Sequence, residues 1–452
     1  MQEKNRKYPT IYVKNFAKIK EAEIELSPFT LFVGDNNSGK SYLASLVWYI
    51  SSIMFFWDYK KSLNFQNYHN LYSLANEIFS NNKTEVTEVK ISNEIINECI
   101  DAANDIISSN KTAIFESIFS YKNIIAEEIY ILYPNYDVNI HVKYHKIILS
   151  NNQSNDNIIY FYHNNMYFPG NSNNSIDSII TLLCLRILEG IISREWSNTL
   201  FLPVSRTGFL LFKDLIIDKS LNSYFNNSYY SNVNDKLELT LPIKDFFFKL
   251  SSLRFNENIN KKHIVDLLEN KVINGKIYLD NMPSAKVHYK SNNSDIDLKM
   301  HVSSAVITEI STLILFLKYS KHNEDIIMEE PEISLHPELQ QQLTRVFIKL
   351  VNINIHILIT THSDTIVQHI NNMIKLNSNN EERKKYLMNK YGYNDDDLIS
   401  EDRVRMYQFD IEEDGFTKVT ELESSEYGFE VPTFNKVLKK ISDEIYDFQE
   451  EL

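Results

Sequence analysis

The sequence predicts an α/β fold with a mixed β core, and three stretches predict it. Leu31-Phe32-Val33-Gly34-Asp35-Asn36-Asn37-Ser38-Gly39-Lys40-Ser41 joins an apolar strand (Phe29 to Val33) to a helix-forming run (Tyr42 to Phe56). Asp325-Ile326-Ile327-Met328-Glu329-Glu330-Pro331-Glu332 is an apolar strand that ends in consecutive carboxylates. Ile355 to Thr360 is a second apolar strand, ended by Thr361-His362-Ser363. Polar residues at strand ends occupy the edge where open α/β sheets bind ligands.

The first stretch reads G-x-x-x-x-G-K-S, a P-loop between its strand and its helix. Gly34 and Gly39 let the backbone fold tightly, so that the N–H groups across Asp35, Asn36, Asn37 and Ser38 face an anion at the positive end of the helix. Lys40 would reach the β- and γ-phosphates of a nucleotide, and the Ser41 hydroxyl would be a magnesium ligand. ATP and Mg2+ are the expected ligands.

Composition narrows the field. A chain of 452 residues, 43% hydrophobic and 23% charged, can bury a sizeable core and is not disordered as a whole. The formal net charge of -14 argues against broad attraction to a polyanion, so any nucleic-acid contact would be confined to a local basic groove. Cys99 and Cys184 lie in apolar helical contexts with no metal or redox spacing, which fits core residues in a reducing cytoplasm. Met1 to Lys7 is charged with no apolar run behind it, so no signal peptide is expected. The most apolar stretch, Tyr42 to Trp57, is shorter than the about 20 residues of a membrane span and reads as a buried central helix.

In chain order, Ile11-Tyr12-Val13, Ala22 to Leu26 and Phe29 to Val33 alternate as strands, with Ser27-Pro28 as a turn. This pattern, with "N-F-x-x-I" and "P-F-T-L-F-V-G-D-N-N-S-G-K-S", resembles the start of ABC-type ATPase heads of the SMC, RecF and OLD kind. The resemblance closely covers about the first fifty residues. It implies a P-loop NTPase head formed by 1-50 and 199-376, a largely helical, mixed insert at 51-198, and a small C-terminal αβ extension at 377-452.

Within the insert, helices are expected around Ser92 to Ile107, Thr112 to Leu132 and Ile176 to Ile192. Strand-like runs at Val138 to Val142, Ile147 to Leu149 and Ile158 to Tyr162 are separated by Asn-rich turns such as 150–155. No sustained heptad pattern predicts a coiled coil. Thr199 to Val204 reads as a buried strand, followed by Ser205-Arg206-Thr207-Gly208 in a turn. A similar "L-P-x-S-R" element in OLD-like ATPases makes Arg206 a candidate contact to nucleotide or to a partner protomer. Read by itself, Arg206 is equally a surface residue capping a turn. Residues 210 to 255 and 258 to 270 are expected to be helical, with short strands around Lys276 to Leu279, Lys286 to Tyr289 and Ile296 to His301.

By resemblance to the Walker B pattern, Glu329 takes the metal-side position usually held by Asp, and Glu330 that of the general base. Ser334-Leu335-His336-Pro337 stands where ABC dimers place the D-loop, with Pro337 opening a helix through Val351. His362 resembles the switch histidine that contacts the γ-phosphate; His356, inside its strand, reads as structural. Ser303 and Ser304, before a helix from Val306 to Tyr319, stand at the signature position that would bind the opposite protomer's γ-phosphate. Ala305 replaces an expected Gly, and Ser304-x-x-x-Thr308 is equally a simple cap.

Toward the C-terminus, Ile366 to Ile374 should be helical, Asn377 to Lys385 a charged linker, and Asp395-Asp396-Asp397 a solvated loop. A hairpin around Glu413-Asp414-Gly415 and an amphipathic helix from Phe434 to Phe448 complete the reading. The Toprim nuclease that follows the ATPase in OLD nucleases is expected to be absent from residues 363–452. The resemblance implies an ATPase that dimerises around ATP and controls an effector such as a nuclease or toxin, as in anti-phage systems of the PARIS or Septu sort. A DNA-repair ATPase of the RecF or SMC type is the alternative. A transporter ATPase would need a cleaner signature and a membrane partner.

Overall fold

In the computed structural model, the P-loop strand Phe29–Gly34 lies inside a nine-stranded sheet. Residues 7–80, 86–134, 138–147, 156–163, 166–169, 176–192, 199–213, 238–255, 257–280, 286–320, 324–425 and 428–450 are described. Five neighbouring strands run parallel: Thr199–Leu202, Asp325–Glu329, Ile357–Thr361, Phe29–Gly34 and Val404–Ile411. Beyond them come Thr417–Leu422, Ile19–Glu25, Thr10–Phe16 and Glu128–Leu132. The chain thus has the mixed α/β architecture of a P-loop NTPase.

The parallel strands are near-continuous apolar runs because both faces are covered. Alternate residues leave on opposite sides: Phe32, Phe201, Ile327 and Leu358 pack with the helices Lys40–Ser51, Asn93–Phe119 and Ile176–Ile192. Leu31, Val33, Met328 and Ile359 pack with Ala305–Tyr319, Pro337–Asn352 and Asp364–Ser378. The strand Ile19–Glu25, between Thr10–Phe16 and Thr417–Leu422, alternates buried and partly exposed positions from Ala22 to Glu25, as a half-covered strand should.

The sheet crosses the expected segment boundaries. Val404–Ile411, expected in an extension, lies beside the P-loop strand, with Met406 opposite Leu31 and Phe409 opposite Gly34. Glu128–Leu132, expected at the end of a helix, is a strand whose Ile129 and Ile131 face inward and which pairs with Thr10–Phe16. Its period-two alternation and the open edge of that neighbour outweigh helical propensity. The preceding helix runs Asn93–Phe119 with a kink at Asn110.

Part of the expected charged linker is the helix Glu381–Tyr391, capped by the Asn380 side chain and ended by Gly392 at φ 72°. The triple-Asp turn is anchored rather than solvated. Asp397 is fully buried, with two hydrogen bonds from Arg345 at 2.9 and 2.8 Å and Lys349 at 2.9 Å. The cations on the neighbouring helix, one turn apart, reverse the expectation. The hairpin forms as expected, with Gly415 at φ 81°. The C-terminal helix spans Pro432–Glu450, with Ile441, Ile445 and Phe448 exposed. The Asn-rich turn at 150–155 and the aromatic stretch at 214–237 lie outside the described residues. Among the described residues, no helix is long and apolar enough to cross a membrane.

Candidate nucleotide site

The glycine loop closes tightly because three of its residues adopt left-handed backbone: Gly34 at φ 123°, Asn37 at 59° and Gly39 at 94°. Gly34 is required by close approach, since a Cβ there would stand 2.3 Å from the Phe409 carbonyl oxygen. The same carbonyl accepts the Asp35 N–H at 3.1 Å. Gly39 caps the helix that begins at Lys40, and Asp35, Asn36 and Asn37 are exposed around the loop. Ser38 is tucked in, its hydroxyl donating to the Asp35 carbonyl at 2.7 Å.

Lys40 folds over this loop. Its ammonium donates to the carbonyls of Gly34 at 3.1 Å and Asp35 at 2.5 Å, and to the Ser38 hydroxyl at 3.3 Å. Burial pushes its pKa down to about 8, against the opposing pull of Glu330, Asp35 and Glu332. Two of these carboxylates, Glu330 and Glu332, lie roughly 290 residues from the amine in sequence and reach it because the strand Asp325–Glu329 runs parallel to the P-loop strand, with Ile357–Thr361 between them.

The strand Asp325–Glu329 also brings a further carboxylate, Glu329, to the residue after Lys40. The Ser41 hydroxyl hydrogen-bonds the Glu329 carboxylate, which also accepts the Val204 N–H at 3.2 Å. Burial raises the Glu329 pKa, and those two hydrogen bonds oppose it. Hydroxyl and carboxylate oxygens are the hard donors that magnesium takes, usually with phosphate oxygens and water completing the octahedron. Among the described residues, no group of three His, Cys, Asp or Glu forms a closed metal cage. Ser41 and Glu329 thus fit a magnesium ion shared with a nucleotide.

Glu330 turns away from the strand in a left-handed conformation, φ 42°, with its N–H donating to the Thr360 carbonyl at 2.9 Å. His362 lies across from it, Nε2 to Oε1 at 3.9 Å, a gap without a direct hydrogen bond. The imidazole hydrogen-bonds the Gly34 backbone, and burial and Lys40 lower its pKa. Sequence reasoning assigned no role to Glu332. Its carboxylate accepts the His362 N–H at 2.6 Å and so fixes the turn that carries the imidazole. The available signal was its place two residues after Glu330 in the same acidic run. Burial raises the Glu332 pKa, with the His362 backbone opposing.

The structure does not bring every expected residue to this site. Ser303 and Ser304 make no hydrogen bond to the glycine loop, Glu329, Glu330 or His362. They sit at the start of Ala305–Tyr319, where the Ser304 side chain forms no cap and is exposed. Thr308 donates to the Ala305 carbonyl at 3.0 Å, and Ser303 donates to the Lys299 carbonyl at 3.3 Å. Arg206, expected at the nucleotide, at a partner or on the surface, is fully buried beneath the acidic turn, with its donors directed at protein groups. The preceding strand Thr199–Leu202 is buried at every position and pairs with Asp325–Glu329, which sets the arginine beneath the turn that follows that neighbour. Pro337 opens the helix Pro337–Asn352 as expected, after Ser334 at φ 64°.

A phosphate-binding loop, an oxygen donor pair and a carboxylate–histidine gap at the ends of adjacent parallel strands define a P-loop ATPase domain. The chain belongs to the AAA ATPase domain family, whose profile matches residues 9–367. No curated protein matches it by sequence. Among solved structures it is similar to an SmcHead bound to the C-winged helix domain of ScpA (11% identity, 92% of this chain and 98% of that one, TM-score 0.38). It is also similar to the SMC head domain from Thermotoga maritima (13% identity, 92% and 99%, TM-score 0.35). A third is the Smc head domain with an extended coiled coil bound to the C-terminal domain of ScpA, derived from Pyrococcus furiosus (12% identity, 96% and 99%, TM-score 0.34).

Proposed function

We propose that the protein binds ATP with magnesium, hydrolyses it with Glu330 as general base, and couples hydrolysis to self-association. The observation that carries this reading is the meeting of Ser41 with Glu329 and of Glu330 with His362 around one lysine. The loop amides and Lys40 bind phosphate; Ser41 and Glu329 hold the metal, which would neutralise charge developing on the β- and γ-oxygens. Glu330 accepts a proton from the attacking water, whose place is the gap to His362. His362, kept neutral by its surroundings, is suited to donate a hydrogen bond to the γ-phosphate.

The exposed helix start at Ser303 and Ser304 supports a role for those residues toward a second copy, since free N–H groups there can meet an anion. Control of an effector, a nuclease or toxin in anti-phage defence, is the biological setting that the motif resemblance favours. Glu330→Gln tests the chemistry. It is expected to lower phosphate release at least about 1,000-fold while ATP still binds, and to accumulate an ATP-bound dimer in sedimentation. Normal turnover in that variant, or monomers with and without ATP, would remove respectively the base and the ATP-bound dimer.

A further inference from the structure

Arg206 has no place in the chemistry just described, yet it is a fully buried guanidinium directly under the acidic turn. It follows the strand Thr199–Leu202, next to Asp325–Glu329, in a helical segment that covers residues 206–213. Nη1 donates to the carbonyls of Pro203 at 3.1 Å and Glu329 at 2.8 Å; Nη2 donates to the Glu330 carbonyl at 3.2 Å. Nε stands 2.9 Å from Oε2 of Glu309 in an ion pair without the alignment of a hydrogen bond. The other Glu309 oxygen accepts the Thr207 hydroxyl at 2.6 Å. Glu309 is itself buried and lies just over one turn into the helix that starts at Ala305, immediately after Ser303 and Ser304.

Two features of this arrangement go beyond packing. Glu330 carries a Cβ in the left-handed region, which such residues avoid unless the surroundings hold them there. Its peptide is held at both ends: the N–H by the Thr360 carbonyl, the C=O by Arg206. The same guanidinium is the link between that turn and the helix behind the two serines.

We infer that Arg206 is a positioning residue, clamping Glu330 in its left-handed turn and, through Glu309, tying that turn to the helix that presents Ser303 and Ser304. This rests on the ATPase reading above. A base displaced by about 1 Å loses on the order of 100-fold in rate. Movement of the serine-bearing helix on meeting a second copy would pull on Glu309, and through Arg206 on the carbonyl of the base. A planar fork can donate to the three carbonyls and face the Glu309 carboxylate at once; an ammonium with three donors cannot meet all four groups.

The test uses the full chain and follows turnover, affinity for a fluorescent ATP analogue, and melting temperature together. Arg206→Met is expected to lower kcat about 100-fold while nucleotide Kd changes less than about threefold. Arg206→Lys is expected to stay at least about tenfold low in kcat, because charge alone does not restore the fork. Arg206→Met leaves Glu309 buried and unpaired, so Arg206→Met/Glu309→Leu supplies the folded comparison. It should recover the melting temperature and not the kcat. Glu309→Gln, which keeps the side-chain volume and the acceptor for Thr207, should bind nucleotide normally and weaken ATP-driven self-association.

A double variant with native melting temperature and kcat within about threefold of native would overturn the inference, as would a Kd that rises in step with the loss of kcat. Should both Arg206 variants fail to fold, normal self-association in Glu309→Gln would overturn it. Glu330→Gln run in parallel separates the two levels. If that variant is inactive and the Arg206 double variant is active, the clamp alone is refuted. If Glu330→Gln still turns over, the ATPase assignment of the base fails first and the clamp falls with it.

Discussion

The strands Asp325–Glu329 and Ile357–Thr361 run side by side and carry an acid and a histidine at each end, and the two pairs are built in opposite ways. At the entry end, one Asp325 oxygen accepts both the His356 N–H at 2.8 Å and faces its ring Nδ1 at 3.3 Å, with side chains only 12% and 8% exposed. At the exit end, Glu330 and His362 stand 3.9 Å apart, 35% and 29% exposed, and each is held by backbone instead of by the other. A pair that satisfies itself in the interior is frame. A pair held short of contact keeps donor and acceptor capacity for a third molecule, which is what a hydrolytic site needs. Under the proposed mechanism, the same residue types on the same strands separate into structure and chemistry by whether their hydrogen bonds are already made.

The largest effect that sharpens this contrast should come from the exit end. His362→Ala is expected to lower kcat about 100-fold, measured by phosphate release at saturating ATP, with little change in melting temperature. A several-degree fall in melting temperature with kcat preserved would make His362 another piece of frame and erase the distinction.

The entry end should respond the other way. Asp325→Ala strips a buried imidazole and a backbone N–H of their acceptor, so urea unfolding should show a loss of about 3 kcal/mol. Below its lowered melting temperature the variant should keep kcat within about threefold of native, because the pair lies a strand length from the P-loop. A collapse of turnover in the folded variant would show that the two ends of the strands are not independent.

The glycine loop, the acidic strand end and His362 could be read because each depends on short-range order: spacing along the chain and a strand or helix on either side. The P-loop, Glu329, Glu330 and His362 do meet around one lysine. What stayed hidden depends on long-range pairing. Nothing local in Val404–Ile411 says that it lies against the P-loop strand, or that the Phe409 carbonyl is the reason Gly34 cannot carry a Cβ. Arg206 reads from the sequence as a nucleotide or partner contact or as a surface turn cap; three of the four groups that draw it inside, on Glu309, Glu329 and Glu330, come from distant segments, and only the Pro203 carbonyl is local. Asp397 misled for the same reason, its two cations being on a helix about fifty residues away.

A third histidine extends the contrast to a site with no carboxylate bonded to its ring. His369, on the helix Asp364–Ser378, is 4% exposed, with its Nε2 buried and without a hydrogen-bond partner, and its ring lies 5.9 Å from Tyr393. Burial, then the charge of Arg345, pushes its pKa down to about 4, with Asp397 opposing. The folded protein therefore keeps it neutral where the unfolded chain, near pKa 6.5, takes a proton. Between those two values the unfolded state binds more protons, so its contribution to stability is full above about pH 6.5 and is lost as pH falls toward 4. Going from pH 7 to pH 5 should cost about 2 kcal/mol in urea unfolding, the smallest of the three effects, and His369→Phe should remove most of that slope. If the native protein and His369→Phe lose stability in parallel over that interval, the ring accepts a proton without leaving its place. Burial beside Arg345 would then not suffice to hold a histidine neutral, and the division between closed and open histidines would have to be redrawn on hydrogen bonding alone.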